Sequence, residues 1–482
     1  MQTIRRLGRS KNFEQYLFLF SVLKRKIFVL FLSSICFINF LNLHCSKGNK
    51  EPSGAEIVAS IKALGKPEFK RTEHPNAQWF PEAGFGLFMH WGIHSVKGLQ
   101  PSWAMIKGYP YGGTEEYQGR KYNVLAQQFN PQNYDPEKWI AAAAKAGFTY
   151  AVLTAKHHDG YALWSTNFGN FGTRQYMNGR DLLKPYVDAC RKYGLKVGFY
   201  FSPRDWNFPG FPEPFIDFDY SNRDKPRPAI LDSAANVKLF EKFYEYTVGQ
   251  LYELLTRYGT IDLLWFDGID WAGVADVHIP ETLAWVRKLQ PGIVTNNRWQ
   301  GVGDYDTPEW NMPEKRPEGW WENCISWNGH WGYNPEGKFQ TIAWAMKRLV
   351  LARSWGGNFL LNCGPAPDGT MQEGFYERCS ELTQWMEHSR ESLIEAGSVN
   401  WEKYGPIPMT RRDKVWYVHI LPDAKLPVVL DKFERPGKII QLRTKTELKY
   451  TYSGKKLTIN LPLKERSPLN EVIALYWSKE PE

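Results

Sequence analysis

From about Trp79 onward the chain alternates short apolar runs with longer amphipathic ones. Residues 84–92 (GFGLFMHWG), 148–155, 195–202, 261–268, 293–298 and 358–362 read as strands, being short, mostly apolar and bounded by turn residues. Between them, residues 135–147, 182–194, 236–258, 280–289, 338–355 and 375–396 read as helices; the first has Pro136 near its start and Gly147 at its end. Such alternation predicts an α/β fold on a parallel sheet. Polar residues stand at or just beyond one strand end after another: His90, His157, Arg204, Asp267, Arg298 and Asn362. A (β/α)8-like TIM barrel gathers those ends on one face, so a barrel is favoured over a doubly wound sheet. Beyond Gly397 the rhythm changes to short runs at 415–420, 428–430, 439–442, 447–452, 456–459 and 472–477. That predicts a C-terminal all-β sandwich domain, which either carries a binding surface of its own or, more simply, braces the barrel. The expected organisation is an export signal at 1–45, a tether and lead-in at 46–76, the barrel at 77–397 and the β-sandwich at 398–482.

The run Ile261-Asp262-Leu263-Leu264-Trp265-Phe266-Asp267-Gly268 is the most informative part of the series. It carries an apolar strand directly to one carboxylate, at the strand end where a barrel keeps its chemistry. An ionised Asp buried there is costly unless compensated, so Asp267 is either used or caps the next loop. Trp265 and Asp267 stand two apart and therefore share a face of the strand.

Composition adds a ligand class. The chain holds 21 Trp, 25 Tyr and 28 Phe among 482 residues. Aromatic-lined clefts suit ligands with apolar faces and hydroxyl rims, sugars above all, although the same residues also serve as plain core. Of the net charge of +9, residues 1–50 supply nine Lys/Arg against one Glu, or +8, leaving +1 for the rest. A nearly neutral folded part gives no reason to expect nucleic acid as a partner.

Lys24-Arg25-Lys26 precedes an apolar stretch at 27–43, followed by Cys45, Ser46 and a polar run to Ser53. Basic flank, apolar core and processing site are the order of a secretory signal. The apolar stretch, about 17 residues broken by Asn39 and Asn42, is marginal for a membrane span. Leu41-Asn42-Leu43-His44-Cys45 resembles a loose bacterial lipobox, with His44 where a small residue is usual. The protein is therefore expected in the periplasm or cell envelope, attached to the membrane if Cys45 carries a lipid. Cys36 and Cys45 belong to the leader, and Cys190, Cys324, Cys363 and Cys379 show neither CxxC nor Cys/His metal spacing.

His157-His158 invites a metal reading, but neighbours on a regular strand point to opposite faces and chelate poorly. No H-E-x-x-H or third ligand at zinc spacing accompanies them. With no phosphate loop or dinucleotide fingerprint either, no cofactor is expected.

Taken together, GLFMHWG (86–92), AKHHDGYALWSTN (155–167), GRDLL (179–183), LLWFDG (263–268), NNRW (296–299), DYDTPEW (304–310), WENC (321–324) with WGYN (331–334), and GGNFLLNCGPAPDG (356–369) occur in a telling order. They resemble glycoside hydrolase family 29, the retaining α-L-fucosidases, over roughly residues 79–397. The resemblance implies a barrel backed by a β-sandwich, no cofactor, and terminal fucose on a glycan or polysaccharide as substrate. It implies Asp267 as nucleophile, with a second carboxyl group about 5–5.5 Å away that first gives a proton and then takes one. Two glutamates compete for that role. Glu309, in a loop between Pro308 and Pro313, resembles the acid/base of several bacterial members; Glu322 resembles a Glu considered in others, with a strand residue that hydrogen-bonds structure as the alternative.

The resemblance also places His90, Trp91, Trp103, His157, His158, Tyr200, Trp265, Arg298 and Trp331 around the sugar. For both histidines to face inward, the strand must end by His157. Trp331 is expected to cover the C6 methyl, and Arg298 contacts either the sugar or Asp267. One departure matters: many members carry Glu-Trp where this chain has Ser102-Trp103. The glycone preference thus follows less directly than the mechanism. A barrel glycosidase for another 6-deoxy or galacto-configured sugar, and a carbohydrate-binding protein without catalysis, stand as alternatives. Segments 107–122 and 207–228 are expected either to shape the leaving-group side or to be packing loops without a part in specificity.

Overall fold

The computed structural model describes residues 51–109, 114–208, 234–268, 278–462 and 466–479. The leader with Cys45, and most of the 207–228 segment, lie outside them. Eight strands build the barrel: β1 (Phe85–Met89), β2 (Tyr150–Lys156), β3 (Lys196–Phe201), β4 (Leu263–Phe266), β5 (Val294–Thr295), β6 (Tyr305–Asp306), β7 (Trp320–Ser326) and β8 (Asn358–Asn362). Their spatial order is β5-β4-β3-β2-β1-β8-β7-β6, and every pairing is parallel. A parallel bridge between Asn296 and Tyr305 joins the two ends, so the sheet closes on itself.

The sequence pattern missed β6 and β7. The first is two residues long and half out of the core. The second, WWENCIS, buries Glu322 and Asn323 within its run, which breaks the apolar signature of a central strand. The strand expected at 293–298 shrinks to Val294–Thr295 because the chain turns away at Asn297.

Along β1, Phe85, Leu87 and Met89 face the helical layer, whereas Phe88 joins the barrel interior with Tyr150, Tyr200, Trp265, Val294 and Leu360. Gly86 takes the inward place beside Phe88, and an added Cβ there would stand 2.2 Å from the Tyr150 ring. Helices Pro136–Lys145, Leu183–Lys192, Ala234–Thr256 and Ile279–Leu289 follow the first four strands, and Ile342–Ser354 and Glu373–Ser389 follow β7 and β8. Among the described residues no helix follows β5 or β6, and their connections are bare loops.

The lead-in is not a free tether. Its helix, Gly54–Lys62, buries Ile57 and Ile61, and the chain beyond is fastened by Thr72 N–H to Asp304 Oδ1 (2.8 Å) and by Arg287 to the Lys70 carbonyl (2.7 Å).

The C-terminal residues form two antiparallel sheets. One runs, in spatial order, Gly397–Ser398, Met409–Arg412, Val415–Ile420, Glu471–Tyr476, Lys438–Gln441 and Thr446–Glu447; the other is Val428–Leu430, Lys456–Ile459 and Tyr450–Ser453. The strand expected at 447–452 is thus split between the sheets. Met409, Val418, Ile420, Ile473 and Leu475 pack against Val428, Leu430, Leu457 and Ile459 to make the sandwich core. Arg353, fully buried at the end of its helix, donates to the carbonyls of Pro81, Gly357, Leu393 and Ala396 and to Asn358 Oδ1. One guanidinium thereby joins the barrel to the linker that leads into the sandwich. Cys190, Cys324, Cys363 and Cys379 are buried free thiols.

Candidate active site

At the C-terminal ends of the strands a cavity of about 260 Å³ opens, lined by both barrel halves. That volume falls at the low end for small-molecule pockets and suits a ligand the size of one sugar ring. Of the residues proposed from sequence, His90, Trp103, His157, His158, Trp265, Asp267, Arg298, Glu309 and Trp331 line it, together with Phe88, Pro101, Arg204 and Gly268.

Asp267 follows the last residue of β4. Gly268 has φ +124°, and a Cβ there would press on Arg204 Cβ at 3.1 Å, so a glycine lets the chain turn sharply and leave the carboxylate facing the cavity. Its Oδ2 accepts the Tyr200 hydroxyl at 2.9 Å, and its Oδ1 accepts the Gly268 N–H at 3.0 Å and Arg298 Nη1 at 3.4 Å. The side chain keeps 20% exposure. It is a compensated anion with one side open to a ligand.

Arg298 links the two candidate catalytic carboxylates. Its Nη2 lies 2.6 Å from Glu309 Oε2, its Nε donates to Thr307 Oγ1 at 2.8 Å, and the guanidinium lies 4.7 Å from the centre of the Trp265 ring. Burial disfavours the charge, but Cys324, Asp267 and Glu309 more than offset it and push the pKa up. The loop that carries Glu309 is pinned to β7: Cys324 N–H donates to Pro308 O (3.1 Å), Trp310 N–H to Cys324 O (2.9 Å), and Asn323 Nδ2 to Pro308 O (3.0 Å). Trp310 has φ +63°, a conformation bulky residues rarely adopt. The pinned loop holds the Glu309 carboxyl at the cavity with 30% exposure.

Three expectations are corrected. Glu322 does not reach the cavity. It is wholly buried inside the barrel, accepting the Tyr150 hydroxyl at 2.5 Å and Trp265 Nε1–H at 3.0 Å, and burial pushes its pKa up to about 7. Its position is that of the structural strand residue. Trp91 points out through the barrel wall, because neighbours on a strand alternate faces. It donates to the Ala366 carbonyl (2.9 Å) and packs on Phe129, Tyr134 and Trp139. Tyr200 lies beneath the cavity, with its ring parallel to His157 at 5.1 Å, and contacts Asp267 rather than the ligand space.

The paired histidines both face inward. β2 ends at Lys156, and its register against β3 slips between Thr154 and Lys156, which frees the next two residues from strand alternation. His157 Nδ1 meets Ser102 Oγ and His158 Nδ1 meets Ser202 Oγ, each at 2.6 Å, while His90 Nδ1 meets Asn362 Oδ1 at 2.8 Å. Burial pushes His90 down to about 4 and drives His157 and His158 well below the usual range. All three rings are neutral near pH 7.

His157, His158 and Asp267 also bring ligating atoms within 4.8 Å of one another. Their setting is poor for a divalent ion, since Asp267 already pairs with Arg298 and Arg204 lines the same cavity. Ser102, which stands where the sequence departed from the expected motif, is wholly buried with φ +60°. Nothing in the sequence marked it or Ser202 as partners of the histidines, whereas Arg204 and Asn362 had been marked by their place after strand ends.

Comparisons with known proteins bear on the family and the fold. A family model described as alpha-L-fucosidase matches residues 59–391. Tissue alpha-L-fucosidase of Rattus norvegicus is 29% identical over 413 residues, covering 78% of this chain and 84% of that protein. The tissue alpha-L-fucosidase of Homo sapiens is 29% identical over 408 residues, covering 76% and 81%. Among solved structures, alpha-L-fucosidase isoenzyme 1 from Paenibacillus thiaminolyticus aligns with a TM-score of 0.72 at 30% identity, covering 83% of this chain and 98% of that one. Thermotoga maritima alpha-fucosidase in complex with fucose aligns with a TM-score of 0.68 at 27% identity, covering 85% and 100%. With the family match running from the lead-in helix to the last barrel helix, the chain belongs to the alpha-L-fucosidase family of glycoside hydrolases.

Proposed function

We propose that the protein removes terminal α-L-fucosyl residues with retention of configuration, using Asp267 as nucleophile and Glu309 as acid/base. The observation that carries this reading is the Arg298 guanidinium held between the two carboxylates at the open cavity. In the first step Asp267 Oδ bonds to the anomeric carbon while the bond to the leaving oxygen breaks and Glu309 gives that oxygen its proton. In the second, Glu309 takes a proton from water, whose oxygen bonds to the anomeric carbon and releases Asp267. Thermotoga maritima alpha-fucosidase, 26% identical, forms a complex with a mechanism-based inhibitor, which supports a covalent route. Phe88, Trp265 and Trp331 supply an apolar wall suited to a sugar whose sixth carbon is a methyl group.

Release of p-nitrophenol from p-nitrophenyl α-L-fucoside tests the assignment. Turnover should fall by at least about a thousandfold in Asp267→Asn. A folded wild-type protein that turns over no fucoside would favour another 6-deoxy or galacto-configured sugar.

Export, and attachment through a lipid on Cys45, belong to the same proposal and rest on the basic–apolar–Cys order of the leader. Labelling of the full chain with a fatty acid, lost in Cys45→Ser, is the expected result; no labelling of the wild type would remove the lipid and leave export by a cleaved signal.

A further inference from the structure

His157 and His158 are neighbours in sequence, neutral, and each turned so that Nδ1 faces a buried serine. The two serines differ in what else they bind. Ser102 Oγ already accepts the Asp159 N–H at 2.8 Å. The Asp159 carboxylate is engaged by the Tyr122 hydroxyl at 3.2 Å and by Tyr161 N–H at 3.0 Å. The Ser102 hydroxyl also lies against the Asp159 carboxylate, but its short contact, 2.6 Å, is with His157 Nδ1. With the hydroxyl hydrogen on that line, His157 Nδ1 is the bare nitrogen and Nε2 carries the hydrogen. Ser202 is wired the other way. Its hydroxyl donates to the Arg204 carbonyl at 2.7 Å, with the Asp267 carbonyl at 3.3 Å. Its oxygen is then free to accept from His158 Nδ1–H, which leaves His158 Nε2 bare.

His90 follows the second pattern. Asn362 donates its amide to the Trp331 carbonyl at 2.7 Å, which fixes its Oδ1 as an acceptor for His90 Nδ1–H. Consistent with a bare His158 Nε2, that atom stands 3.6 Å from Asp267 Oδ2, outside hydrogen-bond range, so the two lone-pair bearers leave space for a hydrogen brought by a ligand.

We propose that Ser102 and Ser202 are positioning residues that hold His157 and His158 in opposite tautomers. The pocket then offers one N–H donor beside two bare acceptor nitrogens, from His158 and His90. This wiring selects a ring whose adjacent hydroxyls donate toward His158 and His90 and present an oxygen lone pair toward His157. A sugar with the wrong hydroxyl direction leaves a buried nitrogen or N–H unpaired, a penalty larger than the hydrogen bond itself is worth. The consequence for substrates rests on the fucosidase reading; the tautomer assignment does not.

The test uses the full chain with its 10 histidines labelled with ¹⁵N, in long-range ¹H–¹⁵N spectra near pH 7 without ligand. His157→Gln and His158→Gln identify the two signals. The expected result is His157 protonated at Nε2 and His158 at Nδ1. His157 protonated at Nδ1 would overturn the proposal and mean that Ser102 gives its hydrogen to the Asp159 carboxylate. Matching tautomers would overturn it as well.

Ser102→Ala should move the His157 signal and leave that of His158 in place, with Ser202→Ala doing the reverse; either variant leaving its own histidine unmoved would overturn the wiring. In kinetics with the aryl fucoside, Ser102→Ala should raise KM about tenfold with kcat changed less than about threefold. A moved signal with KM unchanged would overturn the role in recognition. Absence of turnover in a wild type whose tautomers are as assigned would count against the fucosidase reading alone.

Discussion

The two halves of the barrel solve different problems. From β1 to β4 the strands are four to seven residues long, each followed by a helix among the described residues. Their ends place His90, His157, His158 and Asp267 with little help from loops. From β5 to β7 the regularity fails: two strands have only two residues, no helix follows β5 or β6 among the described residues, and Glu309 hangs on a loop pinned to β7 by backbone hydrogen bonds. Under the proposed mechanism the regular half would supply the glycone contacts and the nucleophile from rigid strand ends, and the irregular half would reach over the cavity with the second carboxyl group. A proton donor must approach the leaving oxygen from the side, and a short strand with a long loop gives that reach. Arg298, just past β5, joins the halves through the two carboxylates.

The largest effect that would sharpen this contrast comes from comparing Glu309→Gln with Glu322→Gln. Glu309→Gln should lose about a hundredfold or more in kcat/KM on a fucoside with a poor leaving group and far less on one with a good leaving group. Glu322→Gln should show no such dependence. A leaving-group dependence in Glu322→Gln, with none in Glu309→Gln, would move the acid/base role from the pinned loop to the β7 strand itself and remove the loop's part in the contrast.

Glu322 should reveal itself in stability instead. Its pKa rises from an ordinary 4.5 to about 7 through burial, so the folded state holds its proton more tightly than the unfolded chain. The fold therefore loses stability as pH rises from about 4.5 to about 7, by about 3 kcal/mol, and the loss levels off above that. Denaturant titrations across this range should show a flatter pH dependence for Glu322→Gln. An unchanged slope would mean that the barrel interior keeps this carboxylate charged without penalty.

A smaller effect is expected at the floor of the regular half. Tyr200→Phe removes one hydrogen bond to Asp267 and should lower kcat by about tenfold, measured with the same aryl substrate. Smallest of all, Trp91→Phe should cost about 1–2 kcal/mol of unfolding free energy and leave kcat/KM within about twofold. Loss of activity there would put the outward face of β1 back in contact with the ligand.

The same contrast governs what could be read without a structure. The regular half was legible because its strands are apolar and its helices carry turn signals at their ends. His90, Asp267 and Arg298 stood where the pattern said a barrel face should be. The sequence misled where a side chain's direction decides the matter: Trp91 beside His90, and Tyr200 one layer below the cavity, need the register of a strand rather than its existence. β7 was hidden because Glu322 and Asn323 interrupt it, and a buried Glu between Tyr150 and Trp265 looks, in one dimension, like a catalytic candidate. The link from Ser102 and Ser202 to the histidines was invisible because it runs through contacts 55 and 44 residues away along the chain.

The seam beside the buried Arg353 has an evolutionary consequence. Its carbonyl partners come from the segment before β1, the turn into β8 and the linker after the last barrel helix. Thr410 and Asn470 of the sandwich add hydrogen bonds to Ser392 and Trp385, and Tyr417, Leu442, Val472 and Ala474 belong to the same apolar cluster as the barrel. The β-sandwich is therefore a poor candidate for exchange between unrelated proteins. A recombination breakpoint near residue 397 would leave the Arg353 contacts whole but strip Trp385 and Ser392 of their sandwich partners and expose a shared apolar face, so the two domains are expected to be inherited together, as one unit of descent.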